Sequence, residues 1–512
     1  MKKNNLLSSS IVIALVILAC LIPRAVFAAS CLSYDKTTDM KVLHVPTSTE
    51  WNRAGQGLFG ANSLYHVEDD IFWQKPQPKK NIKQAHISTL RFPGGELADN
   101  YDWEKSALER PRDWPGEAGT RAEQELRTDY KEFLMHAREA GVQNVFFVVN
   151  VDGAFRTPGN VVDNLNHYAE KAARWVKAVK EAGYHVPYWE IGNEPYLGAG
   201  FPLSTMEYSQ ALKIFAKAMR AVDPTIKIGA AGPGGVESVG FADRIGGEGL
   251  RSLRTSGGNI KKTCGDLSRE DCIEKIENNT NDSKPSQAWW PTLITEAAGS
   301  FDFAVIHRYD YAKMGGGKFP HTKKLQNLKT YLQQSTGRTI PLALTEWNTP
   351  NEKKHKPLTE LDHLLEIAIQ LGNNVVGGVD FAHYWPMRIP SGAFKPLLTY
   401  DGELTSLGRL FSLYSELITD ADVSQSLLDK NVYLLRMRRV GENGYIIVNA
   451  SLKDIQLELN NASGNRVLVS KLTGNPEGKV LPAVECTENA LSAKLVGVDV
   501  PRKSITIIRV FH

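Results

Sequence analysis

The stretch Tyr188-Trp189-Glu190-Ile191-Gly192-Asn193-Glu194-Pro195 decides how the rest of the chain is interpreted. Its apolar start predicts a buried strand, and the turn after it would project Asn193 and Glu194 from the strand's carboxyl end. Gly192 would leave room for close backbone approach, and Pro195 would end the strand because it lacks a backbone donor. A carboxylate beside an amide at the end of a barrel strand is suited to acid/base chemistry on a sugar.

A second carboxylate stands in a similar setting, in Leu344-Thr345-Glu346-Trp347-Asn348. The chain has 57 acidic residues, so either glutamate alone could be an ordinary loop carboxylate. Taken together in these two contexts, Glu194 and Glu346 are interpreted as a catalytic pair.

The region around the two stretches alternates short apolar runs with helical patterns, which is typical of βα units. Several of the helical patterns end at a glycine, as Gly141 and Gly183 illustrate. Eight strands are predicted: Gly57–Asn62, Ile87–Phe92, Asn144–Asn150, Tyr188–Asn193, Lys227–Ala231, Phe303–His307, Leu342–Glu346 and Gly378–Tyr384. The pattern therefore predicts an α/β fold, a (β/α)8 TIM barrel over residues 51–418, with its active site at the carboxyl ends of the strands.

Polar residues should cluster at those strand ends, and the sequence places them there. At or just beyond seven of the eight ends stand Asn62, Arg91, Asn150, Glu194, His307, Glu346 and Tyr384.

Two regions depart from the βα pattern. Residues 235–295, between the fifth and sixth strands, are rich in Gly, Ser, Asn and charge, and are predicted to be an insertion; loops this long are usually functional or mobile. Residues 419–512 alternate polar and apolar side chains between turns, which predicts a C-terminal antiparallel β-sandwich domain. Residues 30–50 are expected to lend this sandwich a strand.

Composition indicates a soluble globular protein that binds neither nucleic acid nor a membrane surface. The 512 residues are 42% hydrophobic and 23% charged, and the net charge is only +3. We predict a carbohydrate substrate, no metal and no organic cofactor, and leave oligomerisation open.

The N-terminus predicts export. Lys2 and Lys3 precede an apolar run from Ile11 to Ile22, and small residues follow at the spacing of a cleavage site near Ala28. Residues 1–29 are therefore predicted to be a signal peptide, and the location to be secreted or periplasmic. A lipoprotein site at Cys20 and an uncleaved anchor are the alternatives.

Four cysteines would remain after cleavage, an even number that suits an oxidising compartment. Cys264 and Cys272 are close enough in sequence to pair, and by elimination Cys31 would pair with Cys486. Four free thiols are the alternative.

Hydrolysis of a glycoside with retention requires one carboxylic acid that protonates the leaving oxygen and a carboxylate about 5 Å away that attacks the anomeric carbon. Strands four and seven face each other across a (β/α)8 mouth, so their ends can meet that separation. Glu194 is assigned as the acid/base and Glu346 as the nucleophile, with Asn193 holding a sugar hydroxyl.

These motifs resemble known enzymes. Trp189-Glu-Ile-Gly-Asn-Glu194-Pro with Thr345-Glu346-Trp-Asn resembles the clan A retaining glycoside hydrolases. Leu90-Arg-Phe-Pro-Gly-Gly95, followed by Tyr101-Asp-Trp103, more specifically resembles glycoside hydrolase family 51, which contains α-L-arabinofuranosidases and some endoglucanases.

The resemblance extends the candidate site. It implies that His307 and Tyr309 touch the nucleophile and the sugar, and that Trp103 lies against the substrate. The substrate-binding residues predicted in all are Asn193, Arg91, Glu96, Trp103, Asn150, His307, Tyr309, Trp347 and Trp385. Structural alternatives remain: Arg91 as an ion-pair partner in the barrel floor, His307 as a satisfied buried histidine, and Tyr309 and Trp385 as packing aromatics.

Three departures from the arabinofuranosidases bear on specificity. Glu96 stands where they carry asparagine after the double glycine, and Thr345 stands where aspartate usually precedes the nucleophile. No glutamate occurs directly after strand one, and Glu68 is the nearest. The expected function is an α-L-arabinofuranosidase-like hydrolase of a polysaccharide or oligosaccharide. An endo-β-glycanase, a β-glycosidase or β-glucuronidase of the same clan, and a non-catalytic carbohydrate-binding protein are the alternatives.

Overall fold

The computed structural model describes residues 32–33, 40–47, 50–65, 67–109, 127–197, 201–255, 265, 267, 271–272, 275, 288–312, 320–352, 357–389, 392–460, 464–491 and 495–512. Within these ranges eight parallel strands close a barrel, and two further sheets form a C-terminal sandwich. The predicted TIM barrel with a C-terminal β-sandwich is confirmed.

The strands in chain order are β1 (Leu32–Ser33), β2 (Lys41–His44), β3 (Asn52–Arg53), β4 (Gly60–Asn62), β5 (Thr89–Phe92), β6 (Tyr101–Asp102), β7 (Ala107–Leu108), β8 (Asn144–Val149), β9 (Tyr188–Ile191), β10 (Lys227–Ala231), β11 (Phe303–Tyr309), β12 (Leu342–Asn348), β13 (Phe381–Tyr384), β14 (Asp422–Asp429), β15 (Val432–Arg439), β16 (Glu442–Asn449), β17 (Ile455–Asn460), β18 (Gly464–Leu472), β19 (Val484–Leu491), β20 (Leu495–Val500) and β21 (Ser504–Phe511). The α-helices are α1 (Asp70–Gln74), α2 (Pro76–Gln84), α3 (Tyr130–Glu139), α4 (Asp152–Arg156), α5 (Val161–Glu181), α6 (Thr205–Val222), α7 (Phe241–Thr255), α8 (Trp289–Ala297), α9 (Pro320–Thr336), α10 (Glu360–Val376) and α11 (Ser406–Ile418).

The barrel consists of β4, β5 and β8–β13, and it closes where β13 pairs with β4. Strand β4 is shorter than predicted because residues 56–58 form a 3-10 turn. Strand and helix alternate around the barrel, so each apolar strand is covered by an amphipathic helix and the polar strand ends meet at one mouth. Among the described helices, none is long and apolar enough to cross a bilayer.

Helix α10 lies between the barrel and the sandwich and is buried along almost its whole length. Its Asn373 accepts a hydrogen bond from Gln425 of β14 at 3.1 Å, and the backbone N–H of Leu361 donates to Gly478 at 2.9 Å. A helix that is apolar on most of its faces is expected in such a position.

The sandwich takes strands from the start of the described chain. Strand β1 pairs with β20, β2 pairs in parallel with β17, and β3 pairs with β14. Leu43 contributes to the sandwich core. Cys486 lies on β19, whereas its predicted partner Cys31 lies outside the described residues, as does Cys264, the predicted partner of Cys272. Both pairings stay predictions.

The two tryptophans of the insertion lie in the core. Trp289 and Trp290 are fully buried, and their indole N–H groups donate to the carbonyls of Ala231 at 3.1 Å and Pro233 at 2.7 Å. They therefore fix the chain that leaves β10. A small separate core of the insertion, which includes Cys272, packs along α7.

Candidate active site

Strand β12 carries one more residue than either neighbour at the mouth of the barrel. Leu344 is paired with Ile306 of β11, and the next pair joins Glu346 with His307, so Thr345 has no partner in the ladder. The register with β13 shifts at the same place. A β-bulge re-aims side chains and is common beside active sites. Because of this bulge, the side chains of the consecutive residues Thr345 and Glu346 both point toward the same group of residues inside the barrel.

Both oxygens of Glu346 are held by donors. Arg91 donates to Oε1 at 2.8 Å, and the Tyr309 hydroxyl donates to Oε2 at 2.7 Å. Burial and the charge of Glu346 raise the pKa of Tyr309 well above its usual range, so this hydroxyl keeps its proton. The carboxylate therefore has a fixed orientation, and only 6% of its side chain is exposed.

Glu194 follows the turn at the end of β9. Its φ of +46° lies in the left-handed region, which is uncommon for a residue with a side chain. The turn is held by a 2.9 Å hydrogen bond from the backbone N–H of Asn193 to Asp99. Gly192 is required here for its φ of +74°, since an added Cβ would make only ordinary contacts at 3.5 Å. The expectation that it permits close backbone approach was wrong.

Arg91 occupies the floor of the site and joins four side chains. Beyond Glu346, it contacts both oxygens of Glu190 at 2.9 and 3.1 Å, Asn62 at 3.0 Å and Asn193 at 2.9 Å. Burial raises the pKa of Glu190, and the charge of Arg91 only partly opposes that effect. Arg91 is thus an ion-pair partner in the barrel floor and also a direct contact of Glu346.

His307 connects the two candidate catalytic residues. Its Nδ1 lies 2.9 Å from Oε1 of Glu194 and 3.6 Å from Oε2 of Glu346, and its Nε2 lies 3.1 Å from the hydroxyl of Thr345. Burial lowers the pKa of His307, but the charges of Glu346 and Glu194 outweigh it and the pKa is raised.

A carboxylate oxygen of Glu194, one of Glu346 and a ring nitrogen of His307 all lie within 4.8 Å of one another. Two carboxylates and an imidazole at this spacing offer ligand types that a divalent metal accepts. Glu194 is already hydrogen-bonded to His307, and Glu346 to Tyr309, an arrangement that also suits acid/base chemistry; we assign no metal ligands.

Three of the predicted substrate-binding residues make packing or hydrogen-bond contacts with other parts of the fold. Trp103 stacks on Trp175 of α5 and donates to a backbone carbonyl of that helix. Trp347 is buried and stacks on Phe411 of α11. The side chain of Asn150 binds Glu109 and accepts from the first turn of α4.

Trp385 and Glu96 lie together at the rim. The ring of Trp385 covers Gly95, where an added Cβ would lie 2.5 Å from the ring, and Glu96 follows in the same short 3-10 helix. Trp385 is only partly buried, as expected for an aromatic residue that can face a ligand.

Sequence reasoning did not single out three residues of this cluster. These are Glu190, Asp99 and Tyr196, which contact or surround the predicted pair and its neighbours. Tyr196 is buried, and burial and Glu194 raise its pKa well above the usual range. One signal was available: Glu190 is a charge inside an otherwise apolar strand, and a buried charge requires a partner.

Comparisons with known proteins agree with the motifs. Residues 81–244 match the family model described as the alpha-L-arabinofuranosidase 1 domain. The chain is 28% identical over 178 residues to the intracellular exo-alpha-(1->5)-L-arabinofuranosidase 1 of Bacillus subtilis, covering 33% of this chain and 34% of the relative. It is 27% identical over 174 residues to the intracellular exo-alpha-(1->5)-L-arabinofuranosidase of Halalkalibacterium halodurans, covering 32% and 33%. The matched region thus spans about a third of the length of these relatives.

The fold matches more widely than the sequence. The GH51 arabinofuranosidase of Xanthomonas axonopodis pv. citri superposes with a TM-score of 0.59 at 15% identity, covering 92% of this chain and 100% of that one. The predicted resemblance to clan A and to glycoside hydrolase family 51 is confirmed.

The comparisons correct one prediction. Both curated relatives are named intracellular enzymes, which contradicts the predicted secreted or periplasmic location. That prediction rested on the composition of an apolar run, a pattern that hydrophobic stretches with other roles also show. The run and the rest of residues 1–29 lie outside the described residues.

Proposed function

We propose that this protein is a retaining glycoside hydrolase in which Glu194 is the acid/base and Glu346 the nucleophile. The observation that carries the proposal is the pair of carboxylates whose oxygens lie within 4.8 Å at the mouth of the barrel. Retaining enzymes hold their two carboxyl groups about 5 to 5.5 Å apart, whereas inverting enzymes leave room for a water between them.

The contacts of each glutamate suit its proposed role. Arg91 and Tyr309 fix the Glu346 carboxylate, so an oxygen can attack the anomeric carbon without reorientation. Glu194 gives its proton to the leaving oxygen and later removes a proton from the water that cleaves the glycosyl-enzyme ester. Asn193, held by Arg91, is the candidate donor to a sugar hydroxyl.

The proposed substrate is an α-L-arabinofuranoside at the end of a polysaccharide or oligosaccharide. The match to the alpha-L-arabinofuranosidase 1 domain and the names of the two curated relatives support this choice. The match covers only about a third of the length of those relatives. The substrate is therefore a proposal that rests on the shared motifs.

A β-linked substrate is the second candidate, and Glu68 favours it. The resemblance implied a sugar-binding glutamate after the first strand. Glu68 is fully buried, accepts hydrogen bonds from the Leu64 backbone N–H and from Ser63, and faces Arg388 at 3.9 Å. It does not offer a carboxylate to the mouth, so an endo-β-glycanase or a β-glycosidase or β-glucuronidase remains the competing function. A binding protein without turnover has no need of the paired glutamates.

The experiment is hydrolysis of a panel of aryl glycosides: α-L-arabinofuranoside, β-D-xyloside, β-D-glucoside and β-D-glucuronide. The Glu346→Ala protein is the control for contaminating activity. A dominant arabinofuranoside signal that the variant lacks, with the first-formed product retaining its anomeric configuration by NMR, supports the proposal. Full activity of the variant or an inverted product refutes it, and a dominant β-glycoside signal selects the second candidate.

A further inference from the structure

The two ring nitrogens of His307 have different surroundings. Nδ1 lies beside Glu194, and Nε2 points into the barrel. Only 4% of the His307 side chain is exposed, so the inward Nε2 depends on a protein partner. That partner is the hydroxyl of Thr345 at 3.1 Å. A buried ring nitrogen without a partner would lose the free energy of a hydrogen bond and would not define the orientation of the ring.

Thr345 reaches this position because of the bulge in β12. Its carbonyl accepts a 2.8 Å hydrogen bond from Asn62, which holds the bulged residue in place. The side chain is fully buried, and among the described residues the Thr345 hydroxyl has His307 as its hydrogen-bond partner.

The direction of this hydrogen bond sets the tautomer of His307. In the neutral ring, a proton on Nε2 would require the hydroxyl to accept, and the hydrogen of the hydroxyl would be left buried without an acceptor among the described residues. If the hydroxyl donates to Nε2, every donor is used. The ring proton then stands on Nδ1, which is 2.9 Å from Glu194 and can donate to it.

We propose that Thr345 is a positioning residue whose hydroxyl donates to Nε2 of His307 and thereby keeps the Nδ1–H of the ring directed at Glu194. The inference rests on the proposed function of Glu194 as the acid/base. Through this contact Glu194 would accept an N–H on one oxygen while the other oxygen carries the proton for the leaving group. A non-ionisable partner at position 345 also adds no charge to a cluster that already holds two carboxylates.

The first test reads the tautomer without requiring activity. In 15N-histidine-labelled protein on the alkaline side of neutrality, the expected His307 spectrum shows a protonated Nδ1 and an unprotonated Nε2, assigned by its loss in His307→Gln. The Thr345→Val protein should lose this pattern. A protonated Nε2 in the unmodified protein, or the same spectrum in Thr345→Val, would overturn the proposal.

The second test compares leaving groups. Thr345→Val should lower kcat/KM by about tenfold for glycosides with poor leaving groups and by less than about twofold for activated aryl glycosides, because only the former need a proton from Glu194. Thr345→Ser keeps the hydroxyl and should restore most of the loss. A uniform loss across leaving groups would indicate a merely structural role and refute the inference.

A matched control is available in the same barrel. Thr89 is also buried on a barrel strand, and its hydroxyl has no hydrogen-bond partner among the described residues. Thr89→Val should leave the dependence on leaving group unchanged, and a response equal to that of Thr345→Val would count against Thr345. If the unmodified protein cleaves no glycoside, the proposed function fails, and the NMR test still decides whether Thr345 sets the tautomer.

Discussion

The hydroxyl of Tyr309 donates a 2.7 Å hydrogen bond to Oε2 of Glu346, the oxygen that Arg91 does not hold. A carboxylate with a fixed donor on each oxygen has lost its rotational freedom before substrate binds, which lowers the entropic part of the activation barrier. If Glu346 is the nucleophile, as proposed, Tyr309 would help to hold it in the orientation for attack.

Tyr309→Phe should reduce kcat/KM on the best aryl glycoside by roughly ten- to a hundredfold, because Glu346 loses one of its two orienting donors. Tyr414→Phe is the control, since that ring on α11 is also fully buried and its hydroxyl makes only a 3.4 Å contact, with the carbonyl of Ala368 on α10. Equal activity of the two variants would show that the Tyr309 hydroxyl does not contribute to catalysis.

Glu194→Ala should lose activity to a degree that depends on the leaving group of the substrate. Glycosides with poor leaving groups require protonation and should lose about a hundredfold or more in kcat/KM, while activated aryl glycosides should lose far less. Added azide should raise turnover of the activated substrates and form a glycosyl azide, because this nucleophile needs no general base. The exposed Glu237 provides a matched Glu→Ala control, and equal losses on both substrate classes would refute the acid role of Glu194.

The barrel and the proximity of the candidate catalytic residues were predictable because they depend on local patterns. Apolar runs spaced by helical patterns define the strands, and a parallel barrel brings their polar ends to one mouth whatever the details of packing. This geometry brings Arg91, Tyr309 and His307 against Glu346, and His307 also against Glu194.

The tryptophans were not predictable, because their direction depends on register. The extra residue at Thr345 places Trp347 against Phe411, outside the barrel interior. A one-residue change in a strand reverses which face a side chain occupies, and the sequence of β12 does not mark the bulge. Trp103 similarly packs on Trp175, a contact between residues far apart in sequence.

Arg91 and Glu190 form a fully buried ion pair. Replacing only Arg91 should lower the free energy of unfolding more than replacing both residues. Arg91→Met leaves Glu190 as an uncompensated buried charge, which typically costs about 3 to 5 kcal/mol. The double change Arg91→Met with Glu190→Met should recover part of that loss in the free energy of unfolding, measured with urea, yet remain inactive because Glu346 and Asn193 lose their donor. If the double variant is less stable than Arg91→Met, Glu190 stabilises the folded protein by more than neutralising the charge of Arg91, and the prediction is wrong.

Glu366 on α10 should make stability depend on pH near neutrality. Its carboxylate accepts a 2.6 Å hydrogen bond from the backbone N–H of Ala312, just beyond the strand that carries Tyr309. Burial, with smaller contributions from Asp310 and Asp362, raises the pKa of Glu366 to about 7. The folded state therefore binds a proton more tightly than the unfolded state, so the stabilisation is complete below about pH 4.5 and is lost as the pH rises through 7.

Glu366→Gln should remove this dependence while keeping an oxygen that accepts from Ala312. The variant should unfold with a free energy close to that of the unmodified protein in acid, and should be more stable at alkaline pH by up to about 3 kcal/mol, the linkage value for this shift. Urea unfolding across that pH range gives the comparison, with Glu181→Gln as the control because that side chain is largely exposed on α5. Parallel pH profiles for the Glu366→Gln and unmodified proteins would mean that Glu366 titrates normally, and that the segment after β11 is held by its other contacts.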